Sequence, residues 1–307
     1  MRRVLFVFVD GVGLAPRAPH NPLSTLALPA LAALAGGQAW TSGAAPLRRP
    51  GHVFVPLDAT LGVEGLPQSG TGQAALFAGF NAPELHGAHY GPAPPTTVRA
   101  RLAAESLFAR FRERGVAPDA MAFANAYPAR FFAAMARRPR WTATTIAARG
   151  AGVRLRTAAD LARGAALASD YTGAGWQRVI DPEAAPISEA EAGRRLVRLS
   201  HEHRLTLSEY PYTDHAGHGR APHAPETVLP SVDRLLGAVV AELDPAADLL
   251  LVSSDHGNIE DTRVETHTRN PVPLVAWGAG AHHFASATSL VDVVPALMAW
   301  ERDAADG

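Results

Sequence analysis

Apolar positions follow two different rhythms along this chain, and the rhythm marks the elements. Val4–Val9 is an unbroken apolar run rich in Val and Phe, the pattern of a strand covered on both faces. Leu249–Ser253 and Val272–Trp277 repeat it, and His52–Leu57 and Leu205–Leu207 are weaker versions. Between them the apolar spacing shifts to three and four, predicting helices over Val98–Arg114, Ser188–His203, Glu226–Leu243 and Leu290–Trp300. Strands alternating with helices predict an α/β fold: a doubly wound, mostly parallel central sheet with helices on both faces. In such sheets functional residues gather beyond the carboxyl ends of the strands. Asp10 follows the first strand, Asp255 and His256 follow Leu249–Ser253, and Asp214 comes just after the segment that begins at Leu205.

Residues 82–187 differ in texture, being rich in Ala, Arg, Pro and Gly, with aromatic patches at Tyr127, Phe131, Phe132 and Trp141. They read as a small cap or substrate lobe inserted into a core made of residues 1–81 and 188–307. The tail Glu301–Gly307 reads as frayed.

Composition removes several kinds of chemistry. The net charge of -1 gives no general attraction to nucleic acid or to an anionic membrane, so neither is expected as a partner and an anionic substrate needs a local site. All 28 basic residues are Arg, which rules out a Schiff-base or Lys-base mechanism. With no Cys, disulfides, thiolate ligands and Cys nucleophiles are excluded as well. The start, Met1-Arg2-Arg3 followed by Val4–Val9, superficially resembles a secretory signal. Its apolar run is short and leads into Asp10-Gly11 without a small-residue cleavage site, so a buried strand and a cytoplasmic protein are expected.

Four segments carry the candidate chemistry: Phe8-Val9-Asp10-Gly11-Val12-Gly13; Gly65–Gln73, which contains Ser69-Gly70-Thr71-Gly72; Asp214-His215-Ala216-Gly217-His218; and Ser254-Asp255-His256-Gly257-Asn258, followed by Thr266-His267-Thr268. Each alone has a bland explanation. Asp-Gly after a strand is usually a turn, and a Gly-rich stretch is usually a loop. Gly11-Val12-Gly13 lacks the third Gly of a dinucleotide fingerprint. Together they offer three carboxylates and three imidazoles, a donor set suited to Mn or Zn rather than to Mg or Ca. Thr71 adds a hydroxyl just before an expected helix, Gly72–Phe80, whose first amides favour an incoming anion.

These segments resemble the alkaline phosphatase superfamily of metalloenzymes, especially the branch of cofactor-independent phosphoglycerate mutase and phosphopentomutase. That branch carries a first strand ending in Asp-Gly, a nucleophilic Ser or Thr in a Gly-containing turn, Asp-x-x-Gly-His, Asp-His-Gly and a later His, all in the order found here. The resemblance covers roughly residues 1–80 and 200–300. It implies two divalent metal ions, Mn2+ or Zn2+. One is held by Asp10, Thr71, Asp255 and His256, and the other by Asp214, His218 and His267. Thr71 is the implied nucleophile through its Thr-Gly pair, with Ser69 as the alternative.

Charge arithmetic agrees with that arrangement: two divalent cations balance three aspartates and an ionised hydroxyl, leaving a neutral shell that a phosphoryl dianion can approach. The implied activity is a phosphohydrolase or phosphomutase acting on a small phosphate ester through a covalent phospho-threonine. A phosphodiesterase using the same site, or a catalytically silent metal-binding protein, are the rival readings. Arg99, Arg101, Arg130, Arg137, Arg138 and Arg140 are candidates for substrate binding, Arg130 foremost. The mutases of this branch also use a Lys near the phosphoryl group, which this chain lacks, and that favours transfer to water.

Overall fold

A computed structural model describes residues 2–306. Seven of its nine strands form one sheet. In chain order the nine are β1 (Arg3–Val9), β2 (Leu47–Arg49), β3 (His52–Leu57), β4 (Met121–Phe123), β5 (Ala126–Tyr127), β6 (Arg156–Thr157), β7 (Leu205–Tyr210), β8 (Asp248–Ser253) and β9 (Val272–Gly278). The sheet order is β2-β3-β9-β8-β1-β7-β4, while β5 and β6 pair separately. β8, β1, β7 and β4 are mutually parallel; β9 opposes β8, and β3 opposes β9. Five of the seven strands therefore point the same way, as the alternating pattern predicts.

The continuous apolar runs are explained by burial on both faces. Val4, Phe6 and Phe8 enter one apolar core, and Leu5, Val7 and Val9 enter the other. Every residue of β8 is buried. On the first face Phe77 packs edge-on against Phe6 and Phe8, with ring centroids 6.0 and 5.1 Å away. Phe77 belongs to the helix Ser69–Ala78, all ten residues of which are buried, so this contact seats that helix on the sheet. Truncating such a ring costs about 3–5 kcal/mol.

Several expectations need correction. The expected lobe of residues 82–187 is not set apart from the core. β4 is the edge strand of the main sheet, and Val98, Leu102, Phe108, Phe111, Phe123 and Ala147 share a core cluster with Phe6 and Phe8. A small satellite remains around β5 and β6, where Ala126, Ala166, Ala168 and Trp176 cluster by themselves. The expected helix Val98–Arg114 breaks at Ser106, whose hydroxyl accepts from Ala109 N and starts a second helix, Leu107–Glu113. The carboxyl-terminal tail is ordered further than expected. The helix Val293–Asp306 includes buried Glu301, which accepts from Arg204 Nη2 at 2.8 Å; Gly307 lies outside the described residues. Among the described residues no helix is long and apolar enough to cross a membrane.

Candidate metal centre

β1 lies between β7 and β8, parallel to both, so the segments that follow these strands emerge at one end of the sheet. Asp10 follows β1 directly. Asp214 and His218 come at the short helix Tyr212–Gly217 after β7, and Asp255 and His256 come just after β8. Gly11 makes the meeting possible: its φ is +68°, and a Cβ there would lie 2.9 Å from Asp214 Cα.

Two clusters of ligand atoms result. In the first, His256 Nε2 lies 3.4 Å from Asp10 Oδ1, 3.5 Å from Asp255 Oδ2 and 2.9 Å from Ser69 Oγ. In the second, Asp214 Oδ1 lies 3.3 Å from His218 Nε2 and 3.4 Å from His267 Nε2, and the two nitrogens are 3.1 Å apart. The clusters adjoin, because the rings of His256 and His267 stack at 3.7 Å.

Hydrogen bonds fix which nitrogen each ring presents. His218 Nδ1 faces Glu265 O at 2.7 Å, His267 Nδ1 faces Pro67 O at 2.7 Å, and His256 Nδ1 faces Gly257 O at 3.3 Å. A carbonyl can only accept, so Nδ1 carries the proton and the Nε2 lone pairs point into the clusters. Asp10 Oδ1 and Asp255 Oδ2 are buried with no hydrogen-bond donor. Carboxylate and imidazole lone pairs crowded this closely repel unless a cation lies among them. The donor set fits a divalent metal ion in both clusters.

The protonation energetics have the same origin. Burial, and then the charges of Asp255 and Asp214, push the Asp10 carboxyl well above its usual range. Burial alone would raise Asp214 too, but in the metal-free chain a second proton on His267, at Nε2, donates to it, and with the nearby His256 this outweighs burial and holds that carboxyl low. Burial lowers His256. One strand away, burial and then Asp255 raise Glu209 to about 7, although Thr144 Oγ1 donates to it at 2.7 Å.

Surrounding side chains brace the ligands. Gln73 Nε2 donates to Asp10 Oδ2 at 3.2 Å, and Asn258 Nδ2 donates to Asp214 Oδ1 at 2.8 Å. Buried Glu260 accepts from Gly13 N at 2.9 Å, Asn258 N at 2.7 Å and Asn270 Nδ2 at 3.0 Å, tying the loop after β1 to the loop after β8.

The structure thus brings Asp10, Asp214, His218, Asp255, His256 and His267 together, but not Thr71. The expected helix Gly72–Phe80 begins earlier, at Ser69, and ends before Gly79. Residues two apart on a helix point in nearly opposite directions, so Ser69 and Thr71 cannot both face the ligands. Ser69 does, together with Gln73 one turn later. Thr71 Oγ1 instead accepts from Tyr90 N at 3.1 Å. Gly72 lies on the Ser69 side, where a Cβ would come 2.8 Å from Asp255 O. The Gly-rich composition that reads as a loop is thus a helix pressed against the metal ligands, and the i, i+4 pair Ser69 and Gln73 is the signal that marks its inner face. Arg130 is exposed and does not reach the ligands. Its guanidinium donates to Val179 O at 3.4 Å and lines a separate cavity of about 710 Å³ with Tyr127, Tyr212 and His223. Tyr212 occupies the face of its helix opposite Asp214 and His218, so the cavity adjoins the metal centre without including it.

Comparison with known proteins gives the same grouping. A family profile for the metalloenzyme superfamily matches residues 182–300. The 2,3-bisphosphoglycerate-independent phosphoglycerate mutase of Agrobacterium fabrum is 34% identical over 121 residues, 36% of this chain and 24% of that protein. Its counterpart in Vibrio parahaemolyticus is 29% identical over 145 residues, 42% of this chain and 28% of that protein. Residues 182–300 thus carry the sequence pattern of the metalloenzyme superfamily. In fold, the chain resembles the PH0037 protein of Pyrococcus horikoshii, with a TM-score of 0.56 and 15% identity over 98% of this chain and 97% of that one. It also resembles the alkaline phosphatase of the Antarctic bacterium TAB5, with a TM-score of 0.52 and 13% identity over the same shares. The aligned stretches span about a quarter of the length of the curated relatives.

Proposed function

We propose that this protein is a two-metal phosphoryl-transfer enzyme acting on a small phosphate ester, with Ser69 as its nucleophile. The observation that carries the proposal is the convergence of Ser69 Oγ with Asp10 Oδ1, Asp255 Oδ2 and His256 Nε2, next to the triangle of Asp214, His218 and His267. Asp10, Ser69, Asp255 and His256 would hold one divalent cation, Mn2+ or Zn2+, and Asp214, His218 and His267 the other. When bound, such cations lower the pKa of a hydroxyl and neutralise charge on phosphoryl and leaving oxygens.

The residues of the chain do the rest. Ser69 stands at the first position of a buried helix, where the helix dipole favours the negative charge of an attacking oxygen and an arriving phosphoryl group. Gln73 and Asn258 hold Asp10 and Asp214 in place, so the reacting geometry exists before substrate arrives. Attack joins Ser69 Oγ to phosphorus as the ester P–O bond breaks. The serine proton is released, and the leaving alcohol takes one up. The phosphoserine is then discharged. The chain has no Lys to hold a dephosphorylated intermediate, so we assign the second step to water, making this a phosphatase.

Turnover of an aryl phosphate tests the proposal. Activity should appear with Mn or Zn and vanish on chelation. No turnover of any phosphomonoester, sugar phosphates included, with two metal equivalents bound would contradict it.

A further inference from the structure

At the opposite end of the sheet lies a second cavity, of about 640 Å³. Met121, which begins β4, and His203, two residues before β7, both line it. β7 separates it from Asp214 by six residues, roughly 20 Å of strand. Arg154, Arg156 and Arg163 also line it.

Two of these guanidiniums share a single buried carboxylate. Arg154 grips Asp160 with both Nη atoms at 2.9 Å, and Arg163 Nη2 contacts the same group. Arg156 receives nothing from it. Its side chain is buried, with the residue only 5% exposed, and it enters no ion pair among the described residues. Nη1 donates to Ala165 O at 2.7 Å, Nη2 faces His203 Nε2 at 3.4 Å, and Nε has no partner. His203 Nδ1 faces Leu199 O at 2.7 Å, so the ring is a neutral acceptor rather than a counter-charge. Asp119 and Glu202 also line the cavity, but both are exposed, where solvent screens them.

We propose that this cavity is a second ligand site, distinct from the metal centre, that binds a small phosphorylated or similarly dianionic metabolite against Arg156 and Arg163. A buried guanidinium is costly without a counter-charge, and the buried carboxylate beside it is taken up by Arg154 and Arg163, which leaves Arg156 without an ion pair. Burial pulls Arg156 down to about 10, which still leaves it charged at neutral pH. A forked cation of this kind matches phosphate oxygens. The volume exceeds what inorganic phosphate fills, and Pro118, Met121 and Ala165 supply an apolar wall for an organic body.

The test uses inorganic phosphate as probe, by calorimetry on the full chain at constant ionic strength, with metals loaded and after chelation. We expect binding that survives chelation, weakens roughly tenfold or more in Arg163→Glu, and disappears in Arg156→Met. Arg163 is 58% exposed, so its variant folds and carries the test if Arg156→Met does not. Phosphate heat that vanishes entirely on chelation belongs to the metal centre and overturns the second site. So does chelation-resistant binding that Arg163→Glu leaves unchanged. Because this binding is read without metal, its outcome is separate from that of the proposed catalysis.

Discussion

The hydroxyl of Ser69 lies 2.9 Å from Nε2 of His256, on a ring fully buried beneath the sheet's carboxyl end. Thr71, on the same helix, reaches Tyr90 N instead. Ser69→Ala should therefore lower kcat for an aryl phosphate by about a thousandfold or more, the scale on which nucleophile deletions act. Thr71→Ala should keep turnover within about tenfold of wild type and cost roughly 1 kcal/mol of stability, because it leaves the part-buried Tyr90 amide without its acceptor. Steady-state kinetics beside thermal melts separate the two; the reverse pattern would restore Thr71 as nucleophile.

Chelation should lower the melting temperature. A cation present at a hundred times its Kd stabilises by about 2.7 kcal/mol, or about 4 °C per cation for a chain of this size. The sign follows from the buried acids. Asp10 has a raised carboxyl in the folded chain, so without metal its penalty is absent at the acid end and grows as pH rises from the ordinary carboxylate range through that raised value. The chelation effect should therefore be larger at pH 7 than at pH 4. A melting curve unmoved by confirmed metal removal would count against both clusters.

The two clusters should empty separately. Asp255→Asn weakens the Asp10, Asp255 and His256 group, and His218→Ala weakens the Asp214, His218 and His267 group. Each variant should lose about one equivalent of cation, given the ~10–100-fold sensitivity of such sites even to outer groups. Elemental analysis that finds two equivalents in both variants would break the ligand assignment.

Asp160 gives a prediction independent of metal. Its hydrogen bond from Arg154, stronger here than the opposing effect of burial, holds the carboxyl below its usual range, and it also accepts from Thr157 N at 2.7 Å. Asp160→Asn should cost about 1–3 kcal/mol at pH 7, since its Arg partners are over half exposed and the ion pairs are partly screened. A depressed acid stabilises above its unfolded pKa, so the deficit should shrink as pH falls below about 4. Denaturant melts at pH 7 and pH 3.5 with equal deficits would mean that the charge has no part in it.

Much of this site is legible in the sequence because it depends on local patterns. Val4–Val9 can only be a doubly covered strand, and an acid directly after such a strand emerges at the functional end of the sheet. What escapes is set by tertiary contact. Met121–Phe123 is too short to show a period, so an edge strand passes for part of a lobe. Ser106 looks like any helix residue until its hydroxyl caps the next helix. The choice between Ser69 and Thr71 turns on which helix face meets Asp255, and the glycines that allow the contact disguise the helix as a loop. Within its own segment Glu260 meets only a backbone amide, that of Asn258; its bridging role appears only when Gly13 and Asn270 arrive beside it.

The fate of the phosphoryl group distinguishes hydrolysis from isomerisation. With no Lys in the chain, transfer to water is expected. Turnover in oxygen-labelled water should place solvent oxygen in free phosphate. Efficient interconversion of a sugar phosphate without phosphate release would make the protein a mutase instead.

The central claim, a covalent route through Ser69, is tested most directly by quenching the metal-loaded enzyme in acid during turnover and mapping its phosphopeptides by mass spectrometry. The account predicts phosphate on Ser69, absent from Ser69→Ala and present in Thr71→Ala. Phosphate on Thr71, or an enzyme that turns over fully with no phosphopeptide and with Ser69 replaced by Ala, would contradict it.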